Sequence, residues 1–229
     1  ERCDRSNNIY LQISILMLYP ICNFLQKITL KWFANFEVSG KENVPPVGPL
    51  IVVSNHLSNI DPSILAVSVS RRLQFLAKST LFTGPFINSL LRWYGAYPVN
   101  RDKIDITSFK WTLNQLRHDG VISIFPEGTR SKGAMIKAKP GVARLVQMSD
   151  ATILPVAITG TEHIGNVMRV VNPTGNIKVN IGSPFSLPKI EGTIDSAILK
   201  SMTDMIMERI SILLPEKYRG VYDIQKREI

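Results

Sequence analysis

Four short apolar runs punctuate this chain, and their spacing narrows the fold more than any other feature. They are "LIVVS" (50–54), "VISIFP" (121–126), "TILPVAIT" (152–159) and "IKVNIG" (177–182). Each is bounded by turn-forming residues and too short for a stable helix, so each reads as a strand. Helical patterns separate and follow them: "PSILAVSVS" (62–70), "ITSFKWTLNQLRH" (106–118), "GVARLVQMS" (141–149) and "AILKSMTDMIMERISILL" (197–214). Strands separated by helices imply an α/β architecture, a mostly parallel twisted sheet flanked by helices. Ligands of such sheets bind beyond the carboxyl ends of the strands. Pro155 sits inside the third run, where a residue without an N–H predicts an edge strand or a bulge.

The N-terminus follows a different rule. Residues 9–25 are nearly all apolar, yet short for a bilayer span and interrupted by Pro20. No small-residue cleavage site follows, so a secretory signal is a poor fit. After Pro20, Ile21, Phe24, Ile28 and Trp32 share one helical face, with Lys27 and Lys31 on another. The expectation is an N-terminal membrane-associated helical pair over 1–36, its lysines toward headgroups. The other reading is two helices covering a soluble core. The turn-forming stretch "SGKENVPPVGP" (39–49) marks entry to the main domain, placed at 37–229.

Composition excludes little until charge is located along the chain. A hydrophobic fraction of 45% with 20% charged residues excludes a disordered chain. Two cysteines, Cys3 and Cys22, give no disulfide framework and no zinc spacing. Between Arg71 and Arg144 there are 13 Lys+Arg against 4 Asp+Glu, and the difference of +9 equals the net charge of the whole chain. Basic charge so localised suits an anionic partner: a phosphorylated substrate, an anionic membrane or nucleic acid. A nucleic-acid binder also needs basic residues interleaved with exposed aromatics or a recognisable motif, and neither is present.

The loop after the first strand, "NHLSNIDP" (55–62), carries His56 and Asp61. Asp61 precedes Pro62, a pairing that places aspartate at a helix cap and proline at the first helical position. On one continuous helix the two side chains point about 140° apart, at about 100° per residue. A loop removes that obstacle and lets the imidazole meet the carboxylate. An imidazole held by a carboxylate is an oriented general base. Spacing alone is equally compatible with a capping aspartate and an unrelated loop histidine.

A second strand-end loop, "FPEGTRS" (125–131), packs Glu127, Gly128, Thr129 and Arg130 into consecutive positions. Gly128 permits close ligand approach, and Arg130 can grip a phosphate with two parallel hydrogen bonds. "FLAKSTLF" (75–82) and "GAYPVNR" (95–101) add Lys78 and Arg101. His118 and His163 have no ligand spacing, so no metal is expected. His118 falls at a helix C-terminus, where it caps or completes the dipole.

Taken in order, these segments resemble the four motifs of the glycerolipid acyltransferases, especially bacterial 1-acylglycerol-3-phosphate acyltransferases. "NHLSNID" is similar to the His–four-residue–Asp signature, "GAYPVNR" to the second motif, "FPEGTRS" to the third and "LPVAI" to the fourth. The resemblance covers about residues 37–185. It implies acyl transfer from acyl-CoA or acyl-carrier protein to the free hydroxyl of lysophosphatidate, without a cofactor and without a covalent enzyme intermediate. His56 is then the base and Asp61 its orienting partner. Arg101 and Arg130, with Lys78, hold the phosphate; Glu127 positions the acceptor or braces the arginines; Gly128 and Thr129 complete the binding loop. Related acceptors are glycerol 3-phosphate and other lysophospholipids. A membrane-lipid substrate further implies association with the cytoplasmic face of the cell membrane. A catalytically silent scaffold would not need the intact His56, Asp61, Glu127 and Arg130.

Overall fold

The computed structural model describes residues 2–100, 105–190, 192 and 194–223. Among them, seven strands form one sheet: β1 (Ala34–Ser39), β2 (Leu50–Ser54), β3 (Leu73–Lys78), β4 (Ala96–Val99), β5 (Val121–Ile124), β6 (Thr152–Thr159) and β7 (Gly175–Ile181). Their order is β1-β7-β6-β2-β5-β3-β4. β6, β2, β5, β3 and β4 are mutually parallel; β7 is antiparallel to β6 and carries β1 parallel to itself. Five strands therefore end on one edge of the sheet, and each expected strand is present within a few residues of its predicted limits.

Both faces of the sheet are covered, which explains the unbroken apolar runs. In β2 the side chains alternate between two cores: Ile51 and Val53 join one cluster, Leu50 and Val52 the other. The first cluster is closed by α4 (Ile106–Arg117), α5 (Gly141–Gln147) and α6 (Ser196–Leu213), through Leu113, Leu116, Val146, Ile206 and Ile210. The second is closed by α1 (Arg2–Phe33) and α2 (Asp61–Ser68), through Leu30, Ile64 and Leu65. The remaining α-helices among the described residues are α3 (Gly84–Tyr94) and the short α7 (Glu216–Arg219).

Two expectations change. The N-terminus is a single helix that runs through Pro20, not a helical pair. Its inner face is fastened to the domain on both sides of the proline: Tyr19 Oη accepts from Leu73 N (3.0 Å), Asn23 Nδ2 donates to Ala66 O (3.2 Å), and Leu30 is fully buried. Tertiary anchoring offsets the one backbone bond that proline removes. β6 is likewise an interior strand despite Pro155. The Pro155 carbonyl accepts from Gly182 N (2.9 Å), so its missing donor faces the β7 side, where β7 has already ended at Ile181. Pairing resumes only at Ile153–Phe185, and no ladder bond to β2 is lost.

Candidate active site

The loops at the carboxyl edge of the sheet meet around His56. Leaving β2, Asn55 continues the ladder with its side chain: Nδ2 donates to Ile158 O and Oδ1 accepts from Ile158 N, both at 2.8 Å. Ser58 Oγ donates to Ile164 O, and Asn59 Nδ2 to Gly165 O (2.9 Å). The 55–59 loop is thus sewn to the segment after β6.

Asp61 does not cap its helix. It is completely buried, and its carboxylate turns back into the preceding loop. Oδ2 lies 2.8 Å from His56 Nδ1 and accepts from Leu57 N and Ser58 N, both at 2.7 Å; Oδ1 accepts from Thr161 Oγ1 at 2.7 Å. An oxygen already receiving two backbone N–H groups acts as an acceptor toward the ring as well, which puts the imidazole proton on Nδ1 and the lone pair on Nε2. Nε2 has no hydrogen-bond partner among the described residues. Phe125 stacks on the ring, centroids 4.1 Å apart and planes inclined by 22°. Only 7% of His56 is exposed, so the ring is held on several sides.

The second loop is tied to the backbone of the same histidine. His56 N donates to Glu127 Oε1 (2.9 Å), while Ser131 N (2.8 Å) and Ser131 Oγ (3.2 Å) donate to His56 O. The other oxygen of Glu127 accepts from Ile136 N at 2.8 Å. Glu127 is therefore a buried brace between loops, and no arginine contact is seen for it among the described residues. Burial raises its pKa to about 7, against the opposing pull of the N–H donors of Ile136 and His56; the charge of Asp61 adds to the rise. Gly128 adopts φ 70°, the left-handed region that glycine enters without strain. Thr129 and Arg130 follow it, both exposed, immediately before the serine bonded to His56.

Of the other predicted positions, Lys78 ends β3 on this same edge and is exposed. Arg101 lies outside the described residues. His118 Nδ1 contacts Asn114 O (2.7 Å) at the end of α4, the expected terminal role, and His163 Nε2 contacts Thr174 O (2.8 Å). No group of three or more His, Cys, Asp or Glu suited to a metal ion occurs among the described residues. Thr161 and Asn55 were not singled out from sequence. The signal for Thr161 was its place, two residues beyond the carboxyl end of a strand.

A parallel sheet whose strand-end loops converge on a braced His–Asp pair is the arrangement in which comparison with known proteins becomes informative. The Acyltransferase family model matches residues 35–159, more than half of the chain, and the protein belongs to that family of enzymes. Its relatives include the 1-acyl-sn-glycerol-3-phosphate acyltransferase of Bacillus subtilis (strain 168), 26% identical over 197 residues, covering 86% of this chain and 96% of that protein. A second, from Borreliella burgdorferi and bearing the same name, is 26% identical over 192 residues and covers 82% and 76%. The crystal structure of the 1-acyl-sn-glycerophosphate (LPA) acyltransferase PlsC from Thermotoga maritima shares the fold with a TM-score of 0.66, at 24% identity, over 85% of this chain and 79% of that one.

Proposed function

We propose that the protein acylates the free hydroxyl of 1-acylglycerol 3-phosphate, using an acyl thioester of coenzyme A or of acyl-carrier protein, and releases phosphatidate and a thiol. The observation that carries this reading is the oriented imidazole: Nδ1 is fixed 2.8 Å from Asp61, and Nε2, at the ligand-binding edge of the sheet, has no partner among the described residues. The names of the relatives supply the substrate class.

In this mechanism Nε2 takes the proton of the acceptor hydroxyl as its oxygen attacks the thioester carbonyl. Asp61 stabilises the resulting imidazolium across the Nδ1 bond. The tetrahedral adduct collapses with cleavage of the C–S bond, and the departing thiolate takes the proton back from Nε2. The thioester is already activated, so no covalent intermediate on the protein is needed. No cofactor takes part. Arg130, Arg101 and Lys78 bind the acceptor phosphate, and Glu127 acts as the brace that fixes the histidine loop against the phosphate-binding loop.

The acceptor and product are membrane lipids, and α1 offers a surface for them. Phe24 (64% exposed) and Trp32 (78%) project from it, with Ile21, Leu25, Ile28 and Phe33 also exposed and Lys27 and Lys31 beside them. No helix among the described residues is long and apolar enough to cross a membrane. In this reading the exposed apolar face of α1 rests against the cytoplasmic leaflet.

The test is lysophosphatidate-dependent thiol release from acyl-CoA. The wild-type protein should turn over, and His56→Ala should lower kcat by about 10²–10⁴-fold, the usual contribution of a general base. Wild-type-like turnover by a folded His56→Ala protein would end the base assignment.

A further inference from the structure

Among the cations near the site, Lys139 is placed with unusual definition. Its backbone N donates to Pro126 O (2.9 Å), and its neighbours Ile136 N and Ala138 N donate to Glu127 Oε2 (2.8 Å) and Tyr222 Oη (3.0 Å). The 136–139 segment is therefore pinned alongside the loop that leaves β5. From there the side chain crosses Gly128. A Cβ built on that glycine would stand 3.1 Å from Lys139 Cε, 3.2 Å from Cδ and 3.4 Å from Nζ. A side chain at Gly128 would therefore press on the end of the lysine and shift it by at least a few tenths of an ångström.

The ammonium so placed is in no ion pair among the described residues, where the pairs are His56–Asp61, Lys178–Glu37 and Lys189–Asp150. Glu127, the acid of this loop, is turned inward with both oxygens occupied by backbone donors. Arg130 and Lys132 follow Gly128 within four positions, so the loop and the segment that crosses it supply three cations. Such a cluster becomes favourable when an anion enters it.

We infer that Lys139 binds, together with Arg130, a phosphate monoester at the Gly128 loop, where the glycine is half-buried under the lysine side chain. This rests on the acyltransferase reading above and adds a residue from outside the "FPEGTR" segment to it. A phosphate monoester reaches this site from either substrate, as the phosphate of the acceptor or as a terminal phosphate of a coenzyme A donor.

Lys139→Met keeps the methylenes over Gly128 and removes the charge; Lys139→Arg keeps the charge. Steady-state kinetics would be run on both, varying lysophosphatidate at saturating acyl-CoA, then acyl-CoA against the corresponding acyl-pantetheine, which lacks the nucleotide phosphates. Lys139→Met should raise one KM by about tenfold, the scale of one lost hydrogen bond to a charged group, with kcat within about twofold; Lys139→Arg should recover most of the loss. A rise confined to lysophosphatidate assigns the acceptor phosphate. A rise for acyl-CoA but not acyl-pantetheine assigns the donor. Unchanged KM values for all three substrates in Lys139→Met overturn the inference. If the wild-type protein shows no lysophosphatidate-dependent turnover, the acceptor reading fails separately, and titration with inorganic phosphate decides: weaker binding in Lys139→Met supports the inference, equal binding overturns it.

Discussion

Thr161 donates its hydroxyl to Asp61 Oδ1 at 2.7 Å, joining residues separated by 100 positions in the sequence. Both are completely buried, so the two oxygens of the aspartate are fixed from opposite sides, one by a threonine beyond β6 and the other by the histidine loop itself. The imidazole inherits its orientation from a carboxylate that has nowhere else to turn. Thr161→Val, nearly equal in volume, would leave Oδ1 without a donor and free the carboxylate to rotate. Leaving a buried acceptor unsatisfied costs about 1–3 kcal/mol. We expect kcat to fall about tenfold with KM for both substrates unchanged, and Thr161→Ser to restore most of it. Equal kcat in the valine and wild-type proteins would show that Thr161 has no part in positioning.

The same geometry separates two roles of Asp61. Asp61→Ala strands the N–H groups of Leu57 and Ser58 and the hydroxyl of Thr161 in a buried site. Urea denaturation should show a loss of about 3–5 kcal/mol, in the range for breaking a buried polar network. Asp61→Asn retains an acceptor oxygen and the volume, so it should lose less stability. It cannot stabilise an imidazolium by charge, and its kcat should still fall by at least about 10²-fold. An asparagine variant with wild-type kcat would reduce Asp61 to a structural anchor of its loop.

The strands and helices were legible where one residue type decided the matter. Runs such as "LIVVS" are buried at every position because both faces of the sheet are covered, and β6 matches its predicted span from Thr152 to Thr159. β1, with alternating half-buried and exposed residues, and α3, with no buried residue, carry weaker patterns and were not predicted as elements. Pro155 misled because the rule for proline concerns the partner beside it, and that partner's end at Ile181 is a property of the assembled sheet. His56 and Asp61 were legible as a pair, whereas the direction in which the carboxylate turns was not. Capping residues ahead and loop N–H groups behind compete for the same oxygens, and local sequence does not decide between them. Thr161, Asn55 and Lys139 act through contacts across distant loops, which leave no local signature.

The exposed face of α1 makes a prediction that does not depend on chemistry at the site. Burying a large apolar side chain contributes about 1.5–3 kcal/mol. Replacing Phe24 and Trp32 together by serine should therefore weaken liposome binding by at least about tenfold, with folding unaffected because both project away from the core. Lys27→Gln and Lys31→Gln should have a smaller effect, confined to vesicles containing anionic lipid and lost at high salt. Flotation of the two double variants on neutral and anionic vesicles separates these contributions. Undiminished flotation of the serine variant would place the docking surface elsewhere.

Glu127 makes the stability of the fold depend on pH in a specific direction. Its folded-state pKa, about 7, lies above the 4.5 of an ordinary glutamate, so between these values the native protein binds the proton that the unfolded chain has released. Stability from this group is fully present below about pH 4.5 and is lost as the pH rises through about 7. The difference corresponds to about 3 kcal/mol at 1.36 kcal/mol per pH unit. Glu127→Gln does not titrate. It should be less stable than wild type at pH 5, where it presents only one acceptor oxygen to the N–H groups of His56 and Ile136, and the gap should close by up to about 3 kcal/mol as the pH is raised to 8. Urea denaturation of both proteins across that range measures the gap directly. A gap that is constant or widens with pH would mean that the two N–H donors outweigh burial, and that Glu127 braces the loops as a carboxylate at every pH in the range.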